Sequence, residues 1–266
     1  MKMKPGENHL TNVQPQWCVI GKSVQGASHV RNGMPNQDAW YLLPQEEENE
    51  WLCVAVADGH GGNKYFRSHD GARFAVESAV NALKKIYEDM VDNGKEDPSF
   101  IKRNMEESVP RLLVQVWRRA IDDDLVKKPF DEDEWKTLEQ KAGNNAQESI
   151  EKSPYIAYGA TILAALVTGK YIFYMQLGDG DIMTVSDEGE VSKPMPADAR
   201  LIANETTSLC GKDAWRDFRF AFQFLVDKPP ALIMLSTDGY ANSFSNEDAF
   251  LKVGPDVLDI LKKEGR

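Results

Sequence analysis

Leu52-Cys-Val-Ala-Val-Ala-Asp58-Gly-His-Gly-Gly62 is an apolar run that stops at an acid. Six apolar residues in succession have the pattern of a strand buried on both faces. A carboxylate at the end of such a strand is costly to desolvate unless positive charge sits against it. The glycines that follow let the backbone turn sharply and bring a carbonyl to the same point. Asp58 and the carbonyl of Gly59 are therefore expected to face one hard cation, with His60 just beyond. The plainer alternative is a strand-ending turn with an Asp cap, and the rest of the chain has to decide between the two.

On the N-terminal side, Asp38-Ala-Trp-Tyr-Leu-Leu43 reads as a strand entered from a Gly/Pro-punctuated loop, Gln25 to Gln37. Trp17 to Ser23 has strand composition, residues 1–15 form a polar tail, and Pro44 to Glu50 is an acidic turn. After Gly62 the period changes. Ala72, Ala75, Val76, Ala79, Val80, Leu83 and Met90 fall at helical spacing, and Leu112, Leu113, Val116, Trp117 and Ile121 mark a second helix. Pro110 either starts that helix or sits inside a longer one. Seven acids crowd residues 122–134, which reads as a solvated face, since EF-hand spacing is absent. Gln140 to Pro154 is polar and loop-like, and strands are expected to resume at Ile156. Thr161–Val167 and Tyr171–Leu177 read as a hairpin, followed by strands at Asp181–Val185, Phe218–Val226 and Ala231–Ser236. Ser245-Asn-Glu-Asp248 caps a last helix, interrupted at Gly254-Pro255. Strands, two long helices and more strands make an α+β fold in one domain, residues 16–266, without strict βαβ alternation.

Composition narrows the partners. The net charge of -11 argues against a nucleic-acid or anionic-membrane surface. Cys18, Cys53 and Cys210 are odd in number and far apart, which reads as reduced thiols in a cytoplasmic protein. No apolar run reaches membrane-spanning length, and the start lacks a signal-peptide core.

The logic of Asp58 recurs. Asp38 opens a strand, Asp179 closes one in Leu177-Gly-Asp179-Gly, and Asp238 closes another in Ser236-Thr-Asp238-Gly. If these ends meet, the ligands are oxygens, which suit Mg²⁺ or Mn²⁺ over zinc. Two such ions can clamp a phosphoryl group, and His60 is placed to protonate the departing oxygen.

Five motifs in order carry a family resemblance: Asn36-Gln37-Asp38, Asp58-Gly59-His60-Gly61-Gly62, Gly159-Ala160-Thr161, Leu177-Gly178-Asp179 and Ser236-Thr237-Asp238-Gly239. Together they resemble the metal-dependent Ser/Thr protein phosphatases of the PPM type, also called type 2C, in a divergent, bacterial-like form. The resemblance implies two antiparallel sheets sandwiched between helices. It implies hydrolysis of phosphoserine and phosphothreonine in proteins by a hydroxide bridging two Mn²⁺ or Mg²⁺ ions. Asp58 and the Gly59 carbonyl would be ligands, Asp238 would bind the other metal, and Asp179 would serve a weaker third. Asp38 would orient the attacking water and His60 would act as acid. Residues 187–217 would form a flap beside the site.

Departures accompany the likeness. The arginine expected in the first loop is absent, and His29 or Arg31 is left to hold phosphate. Gln37 replaces a Glu, Asp181 replaces an arginine, and the final strand with its metal-binding Asp is not evident, so the chain reads as truncated or as lacking that strand by nature. The expected protein is a monomer acting on phosphoproteins. The rival reading is an inactive or weakly active phosphatase-fold binding partner, and a third is a hydrolase of small phosphoesters.

Overall fold

The computed structural model describes residues 17–31, 33–44, 51–95, 97–196, 207–226 and 228–264. The polar tail, most of the acidic turn and part of the expected flap lie outside them. β1 (Asp38–Leu43) and β2 (Trp51–Asp58) pair antiparallel, and β2 continues into β3 (Ile162–Thr168), β4 (Tyr171–Leu177) and β7 (Arg219–Phe224). A second, three-stranded sheet runs β6 (Val191–Ser192), β5 (Asp181–Val185), β8 (Leu232–Ser236). Every pairing is antiparallel.

Three apolar clusters separate four layers. The largest lies between the five-stranded sheet and two long helices, α2 (Ser68–Asp92) and α3 (Pro98–Lys127), after the short α1 (Ala27–Arg31). The second, built on Leu163, Ala165, Ile172, Tyr174 and Ile182, lies between the sheets. The third packs α7 (Glu247–Leu251) and α8 (Val253–Lys263) on the smaller sheet through Phe250 and Leu258. The expected α+β sandwich is therefore present, and beyond β8 the described residues are helices and turns, with α6 (Asp238–Ala241) first.

Several local expectations change. β2 alternates in burial, with Cys53, Ala55 and Ala57 buried and their neighbours half-exposed; β3 and β4 are the strands buried along their whole length. The second face of β2, Leu52, Val54 and Val56, is only partly covered by the inter-sheet cluster, so an apolar run alone does not guarantee two buried faces. Trp17 to Ser23 belongs to neither sheet, although Trp17 packs on the inter-sheet cluster. Pro110 lies inside α3, which is longer than the periodicity marks. Gln140 to Pro154 is not loop. Gly143, at φ 76°, separates α4 (Glu132–Ala142) from α5 (Asn144–Lys152), whose Ile150 is buried. Ile156 sits in a 3-10 turn, Pro154–Tyr158, and the last helix breaks at Lys252, so Pro255 falls in the first turn of α8.

The acidic stretch 122–134 is also more than a solvated face. Asp131 caps α4 with a reciprocal capping box to Glu134. Glu134 grips the buried Arg67 guanidinium at 2.7 and 2.8 Å, and Asp124 lies 3.6 Å from it. Arg67 also donates to the carbonyls of Lys128 and Pro129 and to the Tyr158 hydroxyl. The donors of that guanidinium are thus answered, as a buried cation requires.

Gly71, within α2, passes so close to the 3-10 turn that a Cβ there would stand 1.8 Å from the Tyr158 carbonyl oxygen. Gly71→Ala is expected to cost at least about 3 kcal/mol, the upper range for forced overpacking, and to lower Tm by roughly 6–12 °C. Gly26→Ala, where a Cβ meets nothing within 4 Å, should leave Tm within about 2 °C. A thermal melt of both variants checks the contrast, and equal melts would refute the packing account.

Candidate active site

The register of β1 on β2 sets Asp38 directly opposite Asp58. Asp58 ends β2, and its main chain is tied on the other side to Thr161: Asp58 N–H donates to the Thr161 hydroxyl at 3.1 Å, and Thr161 N–H donates to the Asp58 carbonyl at 2.8 Å. Asp238 arrives from the other sheet, as the first residue of α6 after β8. Its carboxyl acts on that of Asp58 and raises its pKa. Asn242, one turn on, donates to Asp238 Oδ2 at 3.2 Å. Asp179, in the turn between β4 and β5, acts on Asp58 from a third direction.

The electrostatics follow from that convergence. Burial, then the charges of Asp38, Asp238 and Asp179, push the Asp58 carboxyl up to about 8. Asp38 is raised by burial too, opposed by a hydrogen bond from the Thr237 side chain and by the nearby His29.

The loop beyond is shaped by close approach. Gly59 N–H donates to the Gln37 carbonyl at 3.0 Å, and a Cβ on Gly59 would meet the Ser68 carbonyl oxygen at 2.5 Å. The start of α2 therefore demands glycine there. Gln37 is buried, and its amide donates to the His60 carbonyl at 3.1 Å and to the Ser68 hydroxyl at 2.6 Å. A Glu could not donate to that carbonyl, which accounts physically for the Gln. His60 N–H donates to the Gly159 carbonyl at 3.0 Å, and the imidazole lies 4.7 Å from the Tyr65 ring. Burial lowers the His60 pKa while Asp179 pulls it back upward.

Of the residues singled out from the sequence, Asp38, Asp58, Gly59, His60, Asp179, Asp238 and His29 come to this end of the sandwich. Arg31, the last residue of α1, is exposed and acts on none of the shifted carboxylates. Asp181 instead pairs with Lys193 at 3.0 Å, and Lys193 also meets Glu247 at 2.7 Å. Thr237 and Asn242 were missed as supports. Their only signal is adjacency to Asp238 in sequence and its i+4 spacing.

Carboxylates gathered around Asp58 offer the oxygen ligands that fit a hard divalent ion. Two orphans agree. The buried Gln37 Oε1 has no partner, and the carbonyl of the buried Gly59 takes part in none of the main-chain hydrogen bonds around the loop. No three His, Cys, Asp or Glu side chains among the described residues are yet arranged to hold an ion.

A family model described as "Protein phosphatase 2C" matches residues 25–266. Among solved structures, the chain is similar to a bacterial serine phosphatase, at 16% identity, TM-score 0.46, covering 86% of this chain and 85% of that one. It is similar to the catalytic domain of the serine threonine protein phosphatase PstP in complex with two manganese ions, at 16% identity, TM-score 0.42, covering 86% of this chain and 92% of that one. It is also similar to the serine/threonine phosphatase Stp1 from Staphylococcus aureus, at 16% identity, TM-score 0.44, covering 86% and 84%. No curated protein matches the chain.

Because Asp58 is buried among acids, Asp58→Asn should stabilise the metal-free chain by roughly 1–3 kcal/mol, as relief of a strained functional site does. The same change should abolish any Tm rise on adding Mn²⁺. Thermal melts with and without metal read both effects, and a destabilised Asn variant would refute the electrostatic account.

Proposed function

The chain belongs to the protein phosphatase 2C family, and on that premise we propose that it hydrolyses phosphoserine and phosphothreonine in proteins with two divalent cations, Mn²⁺ or Mg²⁺. One observation supports the reading above others: Asp38, Asp238 and Asp179, brought by both sheets and the turn between them, all act on the buried Asp58 carboxyl. Asp58, Asp238, Asp179 and the carbonyl of Gly59 would hold the ions. Bound there, divalent cations would neutralise phosphoryl oxygens and lower the pKa of an attacking water.

The remaining work falls to this chain's own side chains. Asp38, steadied by Thr237, would orient the water for in-line attack. His29, beside Asp38, is the better candidate of the two first-loop residues to hold a phosphoryl oxygen. His60 would give a proton to the departing serine or threonine oxygen. Protonating that imidazole opposes its burial, and the Asp179 carboxylate offsets part of the penalty.

The rival reading, a phosphatase-fold binding protein, has one observation in its favour: the described side chains form no ready-made metal cage. Phosphate release from a phosphothreonine peptide, measured with Mn²⁺, Mg²⁺ and EDTA, separates the two. Metal-dependent turnover is expected. His60→Ala should lower kcat by roughly 10²-fold or more, and Asp58→Asn should remove activity while leaving the fold intact by circular dichroism. Absence of turnover with every metal would reject the enzyme reading.

A further inference from the structure

In a chain of net charge -11, cations gathered in one place call for an explanation, and one such gathering leads away from the candidate site. The segment after Thr207 starts at the site itself. Thr207 Oγ1 accepts from Gly178 N–H at 2.9 Å, and Leu209 N–H donates to the Ala160 carbonyl at 3.0 Å. Ala160 is bridged to Gly59. Just beyond, the segment is pinned to α3: Arg118 donates to the carbonyls of Gly211 at 2.8 Å and Lys212 at 3.0 Å. It then forms a 3-10 turn, Ala214–Arg216.

Around that turn the positive charge is concentrated. The Arg111 guanidinium lies 3.4 Å from the centroid of the Trp215 ring, and that of Arg216 lies 4.8 Å from the same ring. Arg111 and Arg118 are seven residues apart on α3, two turns on one face, or about 10 Å. Lys212, Arg111 and Arg216 are exposed. Asp213 and Asp217 belong to the same segment, yet none of the ion pairs formed among the described residues involves Arg111, Arg118, Lys212 or Arg216. Elsewhere the cations near this site are committed: Arg67 to Glu134 and Lys193 to Asp181 and Glu247. At the near end of the track, Lys64 and Arg118 both act on Cys210 of this segment, and Lys64 lies 4.9 Å over the Tyr65 ring, which in turn packs on His60.

Two guanidiniums held against one indole repel each other, and the arrangement is stabilised by an anion between or beside them. Most of this protein's surface repels an acidic peptide, so a local basic track is the place where one can lie. We propose that the track from Lys64 past Lys212 to Arg111, Trp215 and Arg216 docks an acidic segment flanking the phosphorylated residue of the protein substrate. This rests on the phosphatase reading for its biology, while the docking itself is open to a direct binding test. Arg118 is left out of the variants because it also pins the main chain.

The test uses the full chain with Mg²⁺ present. Fluorescence anisotropy follows an unphosphorylated Asp/Glu-rich peptide, a Lys-rich peptide and a single-stranded oligonucleotide of equal negative charge. The acidic peptide is expected to bind, to weaken steeply with added salt, and to lose roughly tenfold or more in affinity in Arg111→Glu/Arg216→Glu and in Lys212→Glu. Arg111→Gln/Arg216→Gln should fall between. In parallel, KM for a phosphothreonine peptide with an acidic flank should rise by a similar factor in these variants at unchanged kcat, with turnover of a small aryl phosphate unaltered. An acidic peptide that does not bind, or binds the Glu variants as well as the parent, overturns the docking proposal even if phosphoesters are hydrolysed. Binding the oligonucleotide or the Lys-rich peptide as tightly as the acidic peptide overturns the assignment too. Peptide binding without turnover of any phosphoester would leave the dock standing and remove the phosphatase reading instead.

Discussion

Two aspartates facing each other across a β-ladder repel, and this end of the molecule is organised around that repulsion. The β1–β2 register forces Asp38 opposite Asp58, and β8 delivers Asp238 to act on the same carboxyl. Sheet pairing strong enough to hold like charges together must draw its energy elsewhere, here from the large cluster between the five-stranded sheet and α2–α3. The site is locally unfavourable and is sustained by the fold's own packing, which is the usual relation between a strained centre and its scaffold.

The helix layer shapes the site as well as carrying it. Arg67 N–H donates to the Ala157 carbonyl and its side chain to the Tyr158 hydroxyl, so the start of α2 is bound to the 3-10 turn. The residue after that turn is Gly159, whose carbonyl takes the His60 N–H and whose missing Cβ leaves room for the His60 and Tyr65 rings. An ion pair outside the five sequence motifs thus helps set where the imidazole lies. Trp117 adds a further tie, donating from Nε1 to the Gly71 carbonyl at 3.0 Å.

Much of this was legible in the sequence because the constraints are local. An apolar strand closed by Asp-Gly has few physical readings, and the helical periods of α2 and α3 follow from one-sided burial. What escaped depends on long-range neighbours. Trp17 to Ser23 has strand composition but belongs to neither sheet of the described residues. The helix α5 has low overall hydropathy and, among its described side chains, one that is buried, Ile150, too little for a period to stand out. The acids at 124 and 134 read as solvated because their partner, Arg67, is distant in sequence. The sequence leaves His29 and Arg31 alike because which of them the α1 turn brings near Asp38 is a matter of three dimensions, and His29 is the one that acts on Asp38.

The unequal sheets carry one more implication. The interior between them is built on few fully buried residues, and the smaller sheet has only three strands among the described residues. Amide exchange in β5, β6 and β8 should then report a separate opening, below the global unfolding free energy. Asp58 belongs to one sheet and Asp238 follows the last strand of the other. An ion gripped by both would be a clasp across that seam, and its occupancy would convert two loosely coupled halves into a single cooperative unit.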